Sequence, residues 1–161
     1  MIIIEKEVNV VIYKIFKKEN QFEIFPFNEE ESSYLDFLKA LTSKGFSQFI
    51  VTTDIMVNLM EFIRKNKGIV KDIDIEENFY DSDTISIFDK LPLKMREDRD
   101  FDIKVFMQDF DVENSIDIIN IDVKFEKKYF SIRSNGIIFT EEKEDEISPI
   151  INELLRKVLN E

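Results

Sequence analysis

The sequence predicts an α+β fold, a mainly antiparallel sheet of about eight or nine strands carrying three amphipathic helices. Three observations lead there. Apolar residues alternate with a period of two over much of the chain, three stretches have helical spacing instead, and tight-turn residues separate consecutive alternating runs. A length of 161 residues fits one domain, 1–161, and 43% hydrophobic content with 16 Phe is too apolar for a disordered chain.

From Val8 to Phe16 apolar residues fall on both parities, Val8, Val10 and Ile12 against Val11, Tyr13 and Ile15, which predicts a central strand covered on both faces. Lys17-Lys18-Glu19-Asn20 reads as a turn, and Phe22 to Phe27 as the returning strand, in which Pro26 requires an edge or a strand end. Asn28 and Glu31 have capping-box spacing, so a helix is expected from there to about Lys44. Its stripe is Tyr34, Leu35, Leu38 and Leu41, and Gly45 supplies the left-handed residue past its end.

Gln48 to Thr52 reads as a short strand, followed by a helix capped at Thr53 or Asp54 with Ile55, Met56, Leu59, Met60 and Ile63 buried and Gly68 as its stop. Ile69 to Glu77 alternates: Ile69, Lys71, Ile73 and Ile75 share one face, and Val70, Asp72, Asp74 and Glu76 the other. That strand-helix-strand order admits one parallel, right-handed crossover. Thr84 to Phe88 reads as a short strand, Asp89 to Asp100 as a long charged loop, Phe101 to Phe110 as a strand and Asp111 to Asn114 as a turn. A switch from even Ile116 and Ile118 to odd Ile119, Ile121, Val123 and Phe125 predicts a bulge.

A two-residue turn at Lys127-Lys128 would pair Phe125 with Phe130, Val123 with Ile132 and Asp122 with Arg133. Asn135-Gly136 closes the next hairpin as a two-residue turn, placing Phe139 opposite Ile132, so the region is a three-stranded meander. After an acidic linker, Ser148-Pro149 opens a terminal helix whose stripe is Ile150, Ile151, Leu154, Leu155, Val158 and Leu159.

The residue inventory excludes much chemistry. With neither His nor Cys, the chain lacks the usual base at neutral pH, thiolate chemistry and the ordinary zinc ligands. Gly45, Gly68 and Gly136 are isolated, so there is no phosphate-cradling glycine loop. No enzyme motif and no cofactor are expected. The short apolar run Ile2-Ile3-Ile4 is neither a signal-peptide core nor a membrane span, and with the absence of Cys it indicates a cytoplasmic protein.

Formal charge is −12, and it is concentrated. Residues 1–69 hold 10 acids and 9 bases, 70–122 hold 16 and 6, and 123–161 hold 8 and 7. Lys and Arg are dispersed, which opposes direct nucleic-acid binding, and the acidic neighbours of the last helix oppose binding to anionic lipid.

Calcium-loop spacing fails at both candidate runs. Asp98, Asp100 and Asp102 are followed by Ile103 where Gly is required, with Asp109 in place of the closing Glu; Asp72, Asp74 and Glu76 meet Glu77 and Asp83 at those positions. Asp122 and Lys124, with Asp111 upstream, have the makings of a metal-dependent phosphodiesterase or nuclease site, although the strand parity also fits an ordinary charge pair between Asp122 and Arg133. The function expected first is a non-enzymatic binding protein: an inhibitor, an immunity-type partner of a basic protein, or a nucleic-acid mimic. Its acidic surface would comprise Asp72, Asp74, Glu76, Asp81, Asp83, Asp98, Asp100, Asp102, Asp109, Asp111 and Glu113. A structural or accessory subunit is the third class.

Overall fold

Alternating runs become strands and the 3.6-residue stripes become helices in the computed structural model, which describes residues 9–76, 80–111 and 116–159. The strands are β1 (Val11–Lys18), β2 (Gln21–Phe27), β3 (Ser47–Gln48), β4 (Ile69–Ile75), β5 (Ile118–Phe125), β6 (Lys128–Arg133) and β7 (Ile137–Thr140). The helices are α1 (Tyr34–Ser43), α2 (Thr53–Lys65), α3 (Ser82–Glu97), α4 (Ile103–Asp111) and α5 (Glu144–Leu159). The class is α+β, with seven strands and five helices among the described residues, where the sequence suggests eight or nine strands and three helices.

Sheet order is β2-β1-β7-β6-β5-β4, with β3 paired to β1 beyond the end of β7. Every pairing among the described residues is antiparallel, so the parallel crossover expected between residues 48 and 77 does not form. As read from its two-sided pattern, β1 is central, and Tyr13, Lys14, Ile15 and Phe16 are all buried. Pro26 sits in the terminal strand β2, where its missing N–H breaks no ladder.

The largest correction lies in residues 82–111. Thr84, Phe88, Leu91, Pro92 and Met95 share the buried stripe of α3, and the Asp81 side chain caps that helix by accepting from the Thr84 N–H at 2.8 Å. Pro92 inside the helix and a charged outer face masked the period. Ile103 and Met107, four residues apart, are buried on α4 in the stretch that reads as a strand. Helix α3 packs against β4, the last strand of the sheet, where unpaired edge groups would otherwise be open to solvent.

Helix ends shift for local reasons. Helix α1 begins at Ser33, whose hydroxyl accepts from Asp36 N–H, while Asn28 forms a separate turn by accepting from Glu30 N–H at 2.9 Å. Thr52 rather than Thr53 or Asp54 caps α2. Helix α5 starts at Glu144, not Ser148; Glu144, Asp145 and Glu146 form the acidic first turn favoured by the helix dipole, and Pro149 lies inside the helix.

Register also differs. Glu126 and Lys127, both with positive φ, form the two-residue turn, so Val123 faces Phe130, Ile121 faces Ile132 and Asp122 faces Ser131. The slip of two residues keeps every side chain on its expected face but separates Asp122 from Arg133. In the next hairpin Gly136 N–H donates to the Arg133 carbonyl and Ile132 faces Ile138, giving a three-residue loop with glycine in the left-handed position. A bulge in β5 falls at Ile119, as the parity switch requires, because Asp74 faces Asn120 while Ile75 faces Ile118. A second irregularity at Lys71 turns Val70 onto the buried face with Ile73 and Ile75.

The main core lies between one sheet face and helices α2, α4 and α5, around Ile15, Ile73, Ile121, Met60, Ile63 and Leu154. On the opposite face α1 covers only the β1–β2 end, where Phe16, Phe25, Phe27, Tyr34 and Phe37 stack edge to face or tilted. The outer faces of β4, β5 and β6 carry polar side chains instead.

Candidate functional site

Bare sheet face and strand register together assemble the site. Asp72 on β4 stands opposite Asp122 on β5, and Asp74 stands opposite Asn120. The row continues through Ser131 on β6, Phe139 on β7, Ile12 on β1 and Phe27 on β2, so one line of neighbours runs from carboxylates to aromatics. Carboxylate oxygens of Asp72, Asp74 and Asp122 all lie within 4.8 Å of one another.

Hydrogen bonds tie this cluster together from within. Asn120 Nδ2 donates to Asp74 Oδ2 at 3.0 Å and to Asp122 Oδ1 at 3.1 Å, and Ser131 Oγ donates to Asp122 Oδ1. Asn120 is only 8% exposed, and its Oδ1 has no hydrogen-bond partner. Among the described residues no Lys or Arg forms an ion pair with the three aspartates. Burial pushes the Asp72 carboxyl above its ordinary pKa; Asp74 adds to this, the Ile73 N–H opposes it, and Asp122 and Asp89 raise it further.

Cations on this face are held on rings. Lys71 and Lys124 lie 4.3 and 5.1 Å from the centre of Tyr129, and Arg133 lies 5.1 Å from that of Phe139. A hydrogen bond from Lys124 lowers the Tyr129 phenol pKa, and the charges of Lys124 and Lys71 add to it. A depression of 330 Å³ between the carboxylates and the aromatic part of the face is lined by Val10, Lys71, Asp122, Tyr129, Ser131 and Phe139.

The sequence-expected acidic surface separates into parts with different duties. Asp72 and Asp74 belong to the cluster, while Glu76 follows the end of β4. Asp81 caps α3, and the Thr84 backbone N–H, helped by the Thr84 side chain, holds its carboxyl below the usual range. Asp83 occupies the first turn of α3, where the helix dipole favours an acid. Asp98 Oδ1 accepts from Asp100 N–H at 3.0 Å, and Asp102 Oδ1 caps α4 by accepting from Lys104 and Val105 N–H at 2.9 and 3.2 Å. Asp109 lies exposed on α4, Asp111 ends that helix, and Glu113 lies outside the described residues.

Asp122 is the member that the expected surface lacked. Its place follows from β4–β5 pairing, which parity alone does not specify. Of the phosphodiesterase constellation, Asp122 stands beside Asp72 and Asp74, Asp111 ends α4, and the lysine, Lys124, is directed at Tyr129. The chain matches no protein-family model, and no curated protein or solved structure is significantly similar to it. No helix among the described residues is long and apolar enough to cross a membrane.

Proposed function

We propose that the chain is a non-enzymatic binding protein whose outer β4–β5–β6 face receives a cationic group of a basic protein partner. The observation that carries this reading is the convergence of Asp72, Asp74 and Asp122 on an uncovered sheet face without an ion-pair partner among the described residues. Like charges held this close repel, which adds to the burial that raises the Asp72 pKa, and an incoming ammonium or guanidinium relieves that repulsion. Tyr129 and Phe139 beside the cluster suit the apolar stem of a lysine or arginine. An inhibitor or immunity-type partner of a basic protein matches this chemistry.

The test is affinity capture from the native host at low and raised salt, using wild type and the Asp72→Asn/Asp74→Asn/Asp122→Asn variant. A partner of this kind dissociates as salt rises and is lost in the variant. Unchanged capture by the variant refutes the reading.

A second reading, metal-dependent phosphodiester chemistry, draws on the same oxygen cluster and on the unpartnered Oδ1 of buried Asn120. It requires a divalent cation at Asp72, Asp74 and Asp122, so melting temperatures in magnesium, manganese, calcium and chelator discriminate. No shift under any of them removes it.

A further inference from the structure

Acidity dominates this chain, which makes a concentration of bases informative. Arg64, Lys65, Lys67, Arg96 and Arg99 line one open groove of 600 Å³ between the C-terminal ends of α2 and α3. Glu61 is the single acid on its wall, and Lys65 engages it at 3.2 Å. Among the described residues Lys67, Arg96 and Arg99 form no ion pair, in a chain with 34 acids against 22 bases. A groove that served only solubility would not gather cations away from so many available carboxylates.

Helix dipoles explain part of this arrangement. Arg64 and Lys65 occupy the last turn of α2, and Lys94 and Arg96 that of α3, where bases are favoured. Lys67 and Arg99 lie beyond those ends, so the dipoles do not account for them. Lys67 moreover adopts a positive φ of 68°, a backbone state that glycine takes without strain and lysine does not. Glycine does stand next to it, at Gly68, but with an ordinary φ. Lys67 closes the turn that ends α2, where the Gly68 N–H donates to the Ile63 carbonyl at 2.8 Å, and that turn carries Lys67 to the groove wall.

Geometry organises the remaining wall. The Arg64 guanidinium donates to the carbonyls of Asp98 and Phe101, which fixes the loop that presents Arg99. Ile69, Met95 and Phe101 supply apolar surface beside the bases. The size falls within the range of small-molecule sites, about 300–1,000 Å³.

We infer that this groove binds a small phosphorylated molecule with an apolar part, of nucleoside polyphosphate size. Guanidinium and ammonium groups from two helix ends would hold its phosphates, and the Ile69–Met95–Phe101 wall its base. A net charge of −12 over the chain disfavours a long polyanion, which would extend past the groove onto acidic surface. This site is separate from the carboxylate face and needs no protein partner.

Isothermal titration of the full chain with ATP, inorganic pyrophosphate and a single-stranded oligonucleotide tests it, at low and physiological salt. Saturable ATP binding, tighter than that of pyrophosphate or the oligonucleotide, is expected. Arg96→Gln and Arg99→Gln, both at exposed positions, should each weaken ATP binding about tenfold, the effect of one charge-assisted hydrogen bond. Lys67→Gly should weaken binding while leaving the melting temperature equal or higher, which separates loss of a ligand contact from loss of folding. Lys17→Gln in β1 and Lys39→Gln in α1, both at the opposite end of the sheet from β4, should leave it unchanged. Absence of saturable ATP binding, equal losses in the distant variants, or tighter binding of pyrophosphate or the oligonucleotide overturns the assignment.

Discussion

Asp72 and Asp122 stand directly opposite one another on antiparallel strands, a placement in which like charges repel. The folded chain therefore binds a proton at Asp72 more tightly than the unfolded chain does, since burial, Asp74, Asp122 and Asp89 all raise its pKa. By linkage, the stabilising contribution of this group is present at low pH and is lost as pH rises through the raised value. Asp72→Asn should accordingly stabilise the protein by about 0.5 kcal/mol at neutral pH. The gain should disappear near pH 3, where the carboxyl is protonated in both states. Urea denaturation of the two proteins at both pH values measures the difference. A stability gain that persists unchanged in acid contradicts the repulsion.

Lys67 and Gly68 make opposite predictions from adjacent positions. A Cβ at Gly68 would meet Ile63 Cγ2 at 2.5 Å and the Ile63 carbonyl and Phe125 Cδ2 at 2.9 Å, so Gly68→Ala should destabilise by about 1–3 kcal/mol through overpacking. Lys67→Gly relieves a left-handed residue in the turn that ends α2, worth up to about 1 kcal/mol after the entropy of glycine is charged against it. Denaturation midpoints of the two variants should move apart. Glycine at 68 thus serves close packing, and the helix-ending turn is made by lysine.

Capping distinguishes the acids that hold the fold from those available to a partner. Asp102→Ala removes the acceptor for Lys104 and Val105 N–H and should cost about 1 kcal/mol, whereas Asp102→Asn keeps an acceptor and most of the stability. Neither change should affect capture of a basic partner. Thermal melts beside a capture assay report both quantities. Loss of capture in the stable Asn variant would return Asp102 to the binding surface.

Strand identity and face were legible where one periodicity dominated. The two-sided pattern of β1, the edge position that Pro26 imposes on β2 and the bulge at Ile119 all follow from local sequence. Helices α3 and α4 are not legible because Pro92 and a charged outer face mask the stripe Thr84, Phe88, Leu91, Met95, and because apolar residues of α4 fall on both parities, as they would in a strand. That error had a functional consequence. A loop over residues 89–100 does not bring Arg96 and Arg99 to the end of α2, so in the sequence the bases of the groove are dispersed. Likewise, parity placed Asp122 on the correct face, but only strand pairing could put it beside Asp72. A two-residue error in the β5–β6 turn sent it to Arg133 instead of Ser131.

Separating two acidic groups gives the sharpest test of the carboxylate face. Asp72 and Asp74 project from β4 beside Asp122, whereas Asp98 and Asp100 lie in the turn between α3 and α4, where Asp98 accepts from Asp100 N–H. Both pairs contribute equally to net charge, so reversing either to lysine changes the total by the same amount. A partner attracted by overall charge alone would respond equally to the two double variants, while one seated on the sheet would lose binding only with Asp72→Lys/Asp74→Lys. Truncating or reversing one side of a close charge pair raises dissociation, and distant charges act chiefly on association and salt dependence. Kinetic binding measurements at two salt concentrations should therefore show faster dissociation for the strand variant, by at least about tenfold, and only slower association for the turn variant. Equal dissociation rates in the two would place the partner somewhere other than the β4–β5–β6 face.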